Sequence, residues 1–109
     1  MFFAATRLKK VVLGLFAFTL LTLSNMANAE RSGEKIFYTY CVACHMSGVA
    51  GAPKLGSRAD WQPHVDKSME TLLKNSISGI KAMPPRGMCS NCTDEEMQST
   101  IQFMIDSTK

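Results

Sequence analysis

Apolar side chains recur at helical spacing along the C-terminal part of this chain. Met97, Ile101, Met104 and Ile105 stand at i, i+4, i+7 and i+8, which is one stripe of an amphipathic helix. Thr93-Asp94-Glu95-Glu96 directly before them is a capping box and marks where that helix starts. A second stripe, Met69, Leu72, Leu73 and Ile77, follows Ser68 as a cap and meets Gly79 as a stop, so the pattern predicts a helix over 69–78. Nearer the start, Ser32 caps a predicted helix over 33–40, with acidic Glu34 in its first turn. Gly33, Phe37 and Cys41 then share one face. Asp60-Trp61-Gln62-Pro63 predicts a short helical turn. The glycines and proline of MSGVAGAPKLGS make 46–57 a loop, and the consecutive Pro84 and Pro85 keep 81–87 out of regular structure. Nothing alternates in the manner of a strand. The fold class is all-α.

A different pattern occupies the first 29 residues. Arg7, Lys9 and Lys10 precede the uncharged run Val11 to Leu23, and the segment ends in Ala27-Asn28-Ala29. This is the layout of a secretory signal peptide, cleaved before Glu30. The apolar run spans only about 20 Å as a helix, short of the roughly 30 Å hydrocarbon core that a transmembrane anchor needs. Removing it alters the charge argument. Three of the 12 basic residues lie in the leader, which leaves nine basic against 9 acidic in the domain over 30–109. The formal +3 is therefore a targeting feature and gives no support to nucleic-acid binding or to an anionic-membrane role, and the mature form is expected not to be membrane-embedded. A domain of about 80 residues buries a thin core and usually needs a metal, disulfides or a cofactor to hold it. Export places it in the periplasm, where a cysteine pair tends to be oxidised or otherwise occupied.

The 4 cysteines fall in two C-x-x-C pairs. Cys41-Val42-Ala43-Cys44-His45 has the spacing at which two thiols reach the two vinyl groups of one porphyrin edge, with His45 next to sit under the iron. Two pairs could instead hold zinc through four thiolates, but the gap between them exceeds the usual zinc-ribbon spacing. A thioredoxin-like dithiol would want a β-α-β setting. Covalent haem attachment is the favoured reading. The second pair, Cys89 and Cys92, has no histidine behind it and is not a second haem site. Oxidation to a disulfide is its expected fate after export, contributing roughly 2 kcal/mol by closing a short loop, with a reactive dithiol as the alternative.

A haem on His45 requires a ligand on the opposite face of the iron. Met46 adjoins His45 and cannot reach that face. Met69, Met97 and Met104 lie on apolar helix stripes, where methionine is more often filler. Met83 heads the proline-stiffened loop and is the favoured ligand, ahead of Met88 and His64.

Taken together, GEKIFYTYCVACHMSGVAGAPKLGS, a Trp-x-Pro, AMPPRG, the second C-x-x-C and TDEEM resemble the cytochrome c5 group of small class I, monohaem cytochromes c. The resemblance runs from Ser32 to Met104. It implies a class I cytochrome c fold with the first and last helices crossing at Gly33. It also implies Cys41 and Cys44 as thioether anchors of one haem c, His45 and Met83 as axial ligands, and a Cys89–Cys92 disulfide. Pro53 looks like the residue whose carbonyl accepts the His45 ring proton. Four positions depart from the group's pattern: Met46 and Met88 stand where glycine is usual, Ser57 where aspartate is common, and His64 where arginine is frequent.

The implied function is a periplasmic one-electron carrier rather than an enzyme, because iron with two protein ligands has no open position for a substrate. The rival is a small-ligand enzyme or sensor with a labile Met83. Between His45 and Met88, six basic residues face three acidic ones, and the balance reverses over the rest of the domain. A basic loop side of this kind steers a carrier toward redox partner proteins with acidic docking surfaces.

Overall fold

The computed structural model describes residues 30–109; the leader and its cleavage site lie outside the described residues. Within them the chain is helical. The first helix starts as expected, with the Ser32 side chain accepting from the Lys35 amide at 3.2 Å. It extends further than its apolar pattern indicates. Segment α1 (Gly33–Ile36) runs into a π-helical turn (Phe37–Cys41) and then α2 (Val42–His45) without leaving helical backbone angles. Ile36 and Phe37 are buried, and half-buried Cys41 packs against the clusters that hold them while also lining a cavity. A 3₁₀ turn, Val49–Gly51, interrupts the loop that follows.

Helix α3 (Arg58–Val65) is capped by Ser57 and is longer than the short turn predicted from its sequence. Pro63 lies inside it. At that position proline removes only the donor that would reach back one turn, and the helix continues to Val65. Helix α4 (Met69–Ser78) has Ser68 as its cap and Gly79, at φ 87°, as its exit. In α5 (Asp94–Asp106) both halves of the Thr93/Glu96 capping box form.

Helix α1 crosses α5 at Gly33. A methyl group on Gly33 would overlap the Ser99 carbonyl, so the two backbones approach as closely as only glycine permits. Beside the crossing, Ile36 packs with Met97 and the Cys89–Cys92 disulfide, and Phe37 packs with Trp61 and Met104.

The crossing is also pinned electrostatically. Glu96 is buried, and Arg31 grips it with Nε donating to Oε2 at 2.9 Å and Nη2 to Oε1 at 3.2 Å. The Arg31 amide donates to Oε2 at 3.0 Å and the Thr93 amide to Oε1 at 3.0 Å. The Arg31 hydrogen bonds first, then the Thr93 amide, lower the Glu96 carboxyl to about 2. A depressed carboxyl binds fewer protons folded than unfolded. Its stabilising contribution is therefore complete above the ordinary glutamate range and is lost as pH falls from about 4.5 toward about 2. Acid titration of unfolding should show this slope in the native chain and a shallower one in Glu96→Gln. Equal slopes would mean that another carboxylate carries the acid sensitivity.

A cavity built from distant segments

One cavity of about 320 Å³ gathers Cys41, Cys44 and His45 from the end of the first helix and Met83 from the loop after α4. Met97, Ile101 and Met104 of α5 line it as well, so the stripe that announces the last helix also forms this wall. Most of its surroundings are aliphatic, aromatic or thioether groups. Cys41 and Cys44 are not joined to each other, and burial, with nearby Cys44 second, pushes the Cys41 thiol up to about 11. The second pair takes no part in this wall. Cys89 and Cys92 are joined to each other, and Thr93 rather than a histidine follows them. A zinc site drawing on all four thiolates is thereby ruled out for this state.

His45 is oriented by the loop behind it. Its Nδ1 lies 2.8 Å from the Pro53 carbonyl, and the Leu55 amide donates to the His45 carbonyl at 2.7 Å. Nδ1 therefore carries the proton, which leaves Nε2 with its lone pair free. The intervening residue is clamped from both sides. The Lys54 amide donates to Asp60 Oδ2 at 3.1 Å, and its carbonyl accepts from Trp61 Nε1 at 3.0 Å. The Trp61 ring is stacked near the imidazole, with centroids 6.3 Å apart. The roles of Asp60 and Trp61 are not visible in the sequence because their partners are the backbone amide and carbonyl of Lys54. The Asp-Trp pair at the start of α3 was the one available sign.

Met83 is held by backbone bonds. It exchanges hydrogen bonds with Ile80 in both directions, at 2.9 and 3.0 Å, in an isolated bridge. Downstream, the Arg86 amide donates to the Ser76 carbonyl at 2.8 Å, and its guanidinium reaches the Cys92 carbonyl at 2.8 Å and Asp94 at 2.7 Å. Arg86 thus ties the Met83 loop to α4, to the disulfide and to the head of α5. Its role is not visible in the sequence because two of its three partners are backbone carbonyls, which leave no residue pattern. Of the other candidate ligands, Met88 is 70% exposed at the cavity mouth, and His64 is half-buried in the cavity wall.

The donor set suits one porphyrin iron. A mostly apolar cavity holds two adjacent free thiols, an imidazole with Nε2 unengaged and a thioether on a braced loop. Bound there, a haem would rest on these residues and supply a one-electron couple.

Comparison with known proteins agrees. Residues 28–104 match the family described as cytochrome c oxidase, cbb3-type, subunit III. Cytochrome c5 of Ectopseudomonas mendocina is 45% identical over 83 residues, covering 74% of this chain and 95% of that one. The solution structure of a mono-heme ferrocytochrome c from Shewanella putrefaciens is 44% identical, covers 71% of this chain and 95% of that one, and superposes with a TM-score of 0.62. A chain from the crystal structure of an electron transfer complex of nitrite reductase with cytochrome c is 35% identical, covers 75% of this chain and all of that one, and has a TM-score of 0.68. The protein accordingly has the class I cytochrome c fold and belongs to the cytochrome c5 group of small monohaem cytochromes c, electron-transfer proteins carrying one haem c.

Proposed function

We propose that the chain is exported to the periplasm and there shuttles single electrons between redox proteins, with His45 and Met83 as the axial ligands of its iron and Cys41 and Cys44 as the thioether anchors. The carrying observation is the convergence of these four side chains, from separate segments, on one cavity. The leader pattern ahead of Glu30 supports export. Among the described residues, no helix is long and apolar enough to cross a membrane.

In this reading each residue has a defined task. Pro53 fixes the His45 ring and keeps Nε2 turned to the metal. The Ile80–Met83 bridge and the Arg86 anchor set the reach of the thioether. Met97, Ile101 and Met104 exclude water from the iron's surroundings. Two protein ligands that stay in place through a redox cycle keep the geometry nearly constant, so electron transfer requires little reorganisation.

The test is optical. Oxidised and reduced spectra of the exported protein should show c-type bands and a weak far-red band of methionine on ferric iron. Carbon monoxide should leave the reduced spectrum unchanged at neutral pH. A shift under carbon monoxide would mean an open iron and would overturn Met83 as a stable ligand.

The charge pattern supports a partner type. Val49 and Met88 both line the cavity and are exposed, which places an apolar mouth at its edge. Lys67 and Lys81 are exposed and line the same cavity. A basic face with an apolar centre fits partners that present acidic residues, in brief complexes. Electron-transfer rates with such a partner should fall steeply, by tenfold or more, between about 10 mM and 200 mM salt. A flat response would exclude electrostatic docking through this face.

A further inference from the structure

The two peptide units on either side of Lys54 both join His45 to helix α3. The Pro53–Lys54 unit presents its carbonyl to His45 Nδ1 at 2.8 Å, and its N–H donates to Asp60 Oδ2 at 3.1 Å. The Lys54–Leu55 unit is bonded the other way round. Its N–H donates to the His45 carbonyl at 2.7 Å, and its own carbonyl accepts from Trp61 Nε1 at 3.0 Å. One unit therefore holds the imidazole and the next holds the His45 backbone, and each ends on a side chain from the first turn of α3.

The two bonds on the Pro53–Lys54 unit are not independent. A peptide is conjugated, so a negative charge that accepts from its N–H shifts electron density onto its oxygen and makes the carbonyl a stronger acceptor. Asp60 is placed to supply that charge. Ser57 Oγ accepts from the Asp60 amide at 3.2 Å and fixes the turn from which the half-buried carboxylate reaches back. The Lys54 amide first, and the Lys54 ammonium at 3.3 Å after it, hold the Asp60 carboxyl below the usual aspartate range. Trp61, by contrast, brings a neutral donor to a carbonyl that does not face the ring.

We propose that Asp60 is a positioning residue that tunes the iron through this single peptide: its charge strengthens the Pro53 carbonyl as an acceptor, the carbonyl draws the Nδ1 proton of His45 more strongly, and Nε2 becomes a better donor, which lowers the reduction potential. The inference rests on His45 as a ligand of the iron, as proposed above, and does not depend on Met83. No proton leaves Nδ1; only the polarity of the bonds changes. An imidazole whose N–H faces a stronger acceptor is a more basic ligand. Ferric iron carries one more positive charge than ferrous iron and gains more from that basicity.

The experiment compares the haem-loaded native protein with Asp60→Asn and with Lys54→Met/Asp60→Asn. Asparagine keeps an oxygen for the Lys54 amide but carries no charge. In the double variant both members of the ion pair are neutral, so the pair's net charge equals the native one and its field through space is unchanged to first order. At a fixed applied potential the ferrous-to-ferric ratio should rise at least threefold in the double variant, which is about 28 mV at about 59 mV per tenfold for one electron. The rise should be larger in Asp60→Asn, where the uncompensated Lys54 cation adds to it. By NMR of the reduced proteins, the His45 Nδ1 proton and the Lys54 amide proton should both move upfield, as they do when a hydrogen bond weakens. A double variant with the native potential would overturn the relay, because charge alone would then account for Asp60→Asn. So would an Nδ1 proton that stays in place while the Lys54 amide moves, since the peptide would not be transmitting. His45 ring signals that lack paramagnetic shifts in the ferric native protein would overturn the ligand reading and the relay with it, whereas shifted signals with an unmoved potential would overturn the relay alone.

Discussion

Met83→Ala is expected to abolish the far-red band, open the reduced iron to carbon monoxide, and lower the reduction potential by on the order of 0.1 V or more, within the roughly 0.8 V over which axial ligands move haem couples. The thioether is a soft donor that favours ferrous over ferric iron, so its removal shifts the balance toward the oxidised state. The fold should tolerate the change. Met83 is only half-buried, and the hydrogen bonds that shape its loop belong to its backbone, to Ile80 and to Arg86. Met88 is the nearest rescue, but it sits 70% exposed beyond Gly87. A variant that keeps the far-red band would identify Met88 or another methionine as the true ligand. The double variant Met83→Ala/Met88→Ala would separate those two.

Gly33→Ala should be the most damaging small substitution outside the iron site. In an ordinary helix interior, replacing glycine by alanine stabilises by about 1 kcal/mol. Here the new methyl would overlap the Ser99 carbonyl, and backbone cannot swing aside as a long side chain can. Forcing α1 and α5 apart should cost roughly 3 kcal/mol. For a domain of this size that is a fall in thermal midpoint of about 12–24 °C. Heating the variant and the native protein, both haem-loaded, decides the point. A midpoint equal to or above the native value would mean that the crossing is looser than described.

The features that were legible in the sequence are the ones fixed by near neighbours. Ser68 and the Thr93/Glu96 box announce their helix starts because a capping side chain bonds an amide three residues away, and Gly79 marks an exit because glycine adopts φ 87° freely. The haem motif is legible for the same reason, since one porphyrin edge fixes the spacing of Cys41, Cys44 and His45. The Gly33 crossing came from the family resemblance, and the close approach is what the structure shows. What stayed hidden depends on contacts that only the folded chain makes. The capping box marks Glu96 as a local group, yet its principal partner is Arg31, 65 residues earlier. Arg86 and the clamp on Lys54 are hidden likewise, because carbonyls and amides recruited by tertiary contact leave no residue pattern. The π turn is a third kind of case. The i+4 recurrence of Gly33, Phe37 and Cys41 assumes one uniform helix; a wider turn intervenes without any sign in the sequence, and Cys41 still packs against the clusters that hold Ile36 and Phe37.

The closure of α1 on α5 reverses an ordinary hierarchy of motion. Chain ends are usually the first parts of a domain to fray. Here Arg31 and Gly33, at the start of the described unit, are fastened to Glu96 and Ser99 near its end. The residues between them are thereby gathered into one loop, and neither end can loosen without exposing the cavity wall that α5 provides. Local opening is then left to the turn around Val49, which borders the cavity and lacks the Arg86 anchor that braces the Met83 loop. In a carrier, that division separates two demands: the clasped ends keep water from the metal, and the yielding middle adapts to whatever protein docks there.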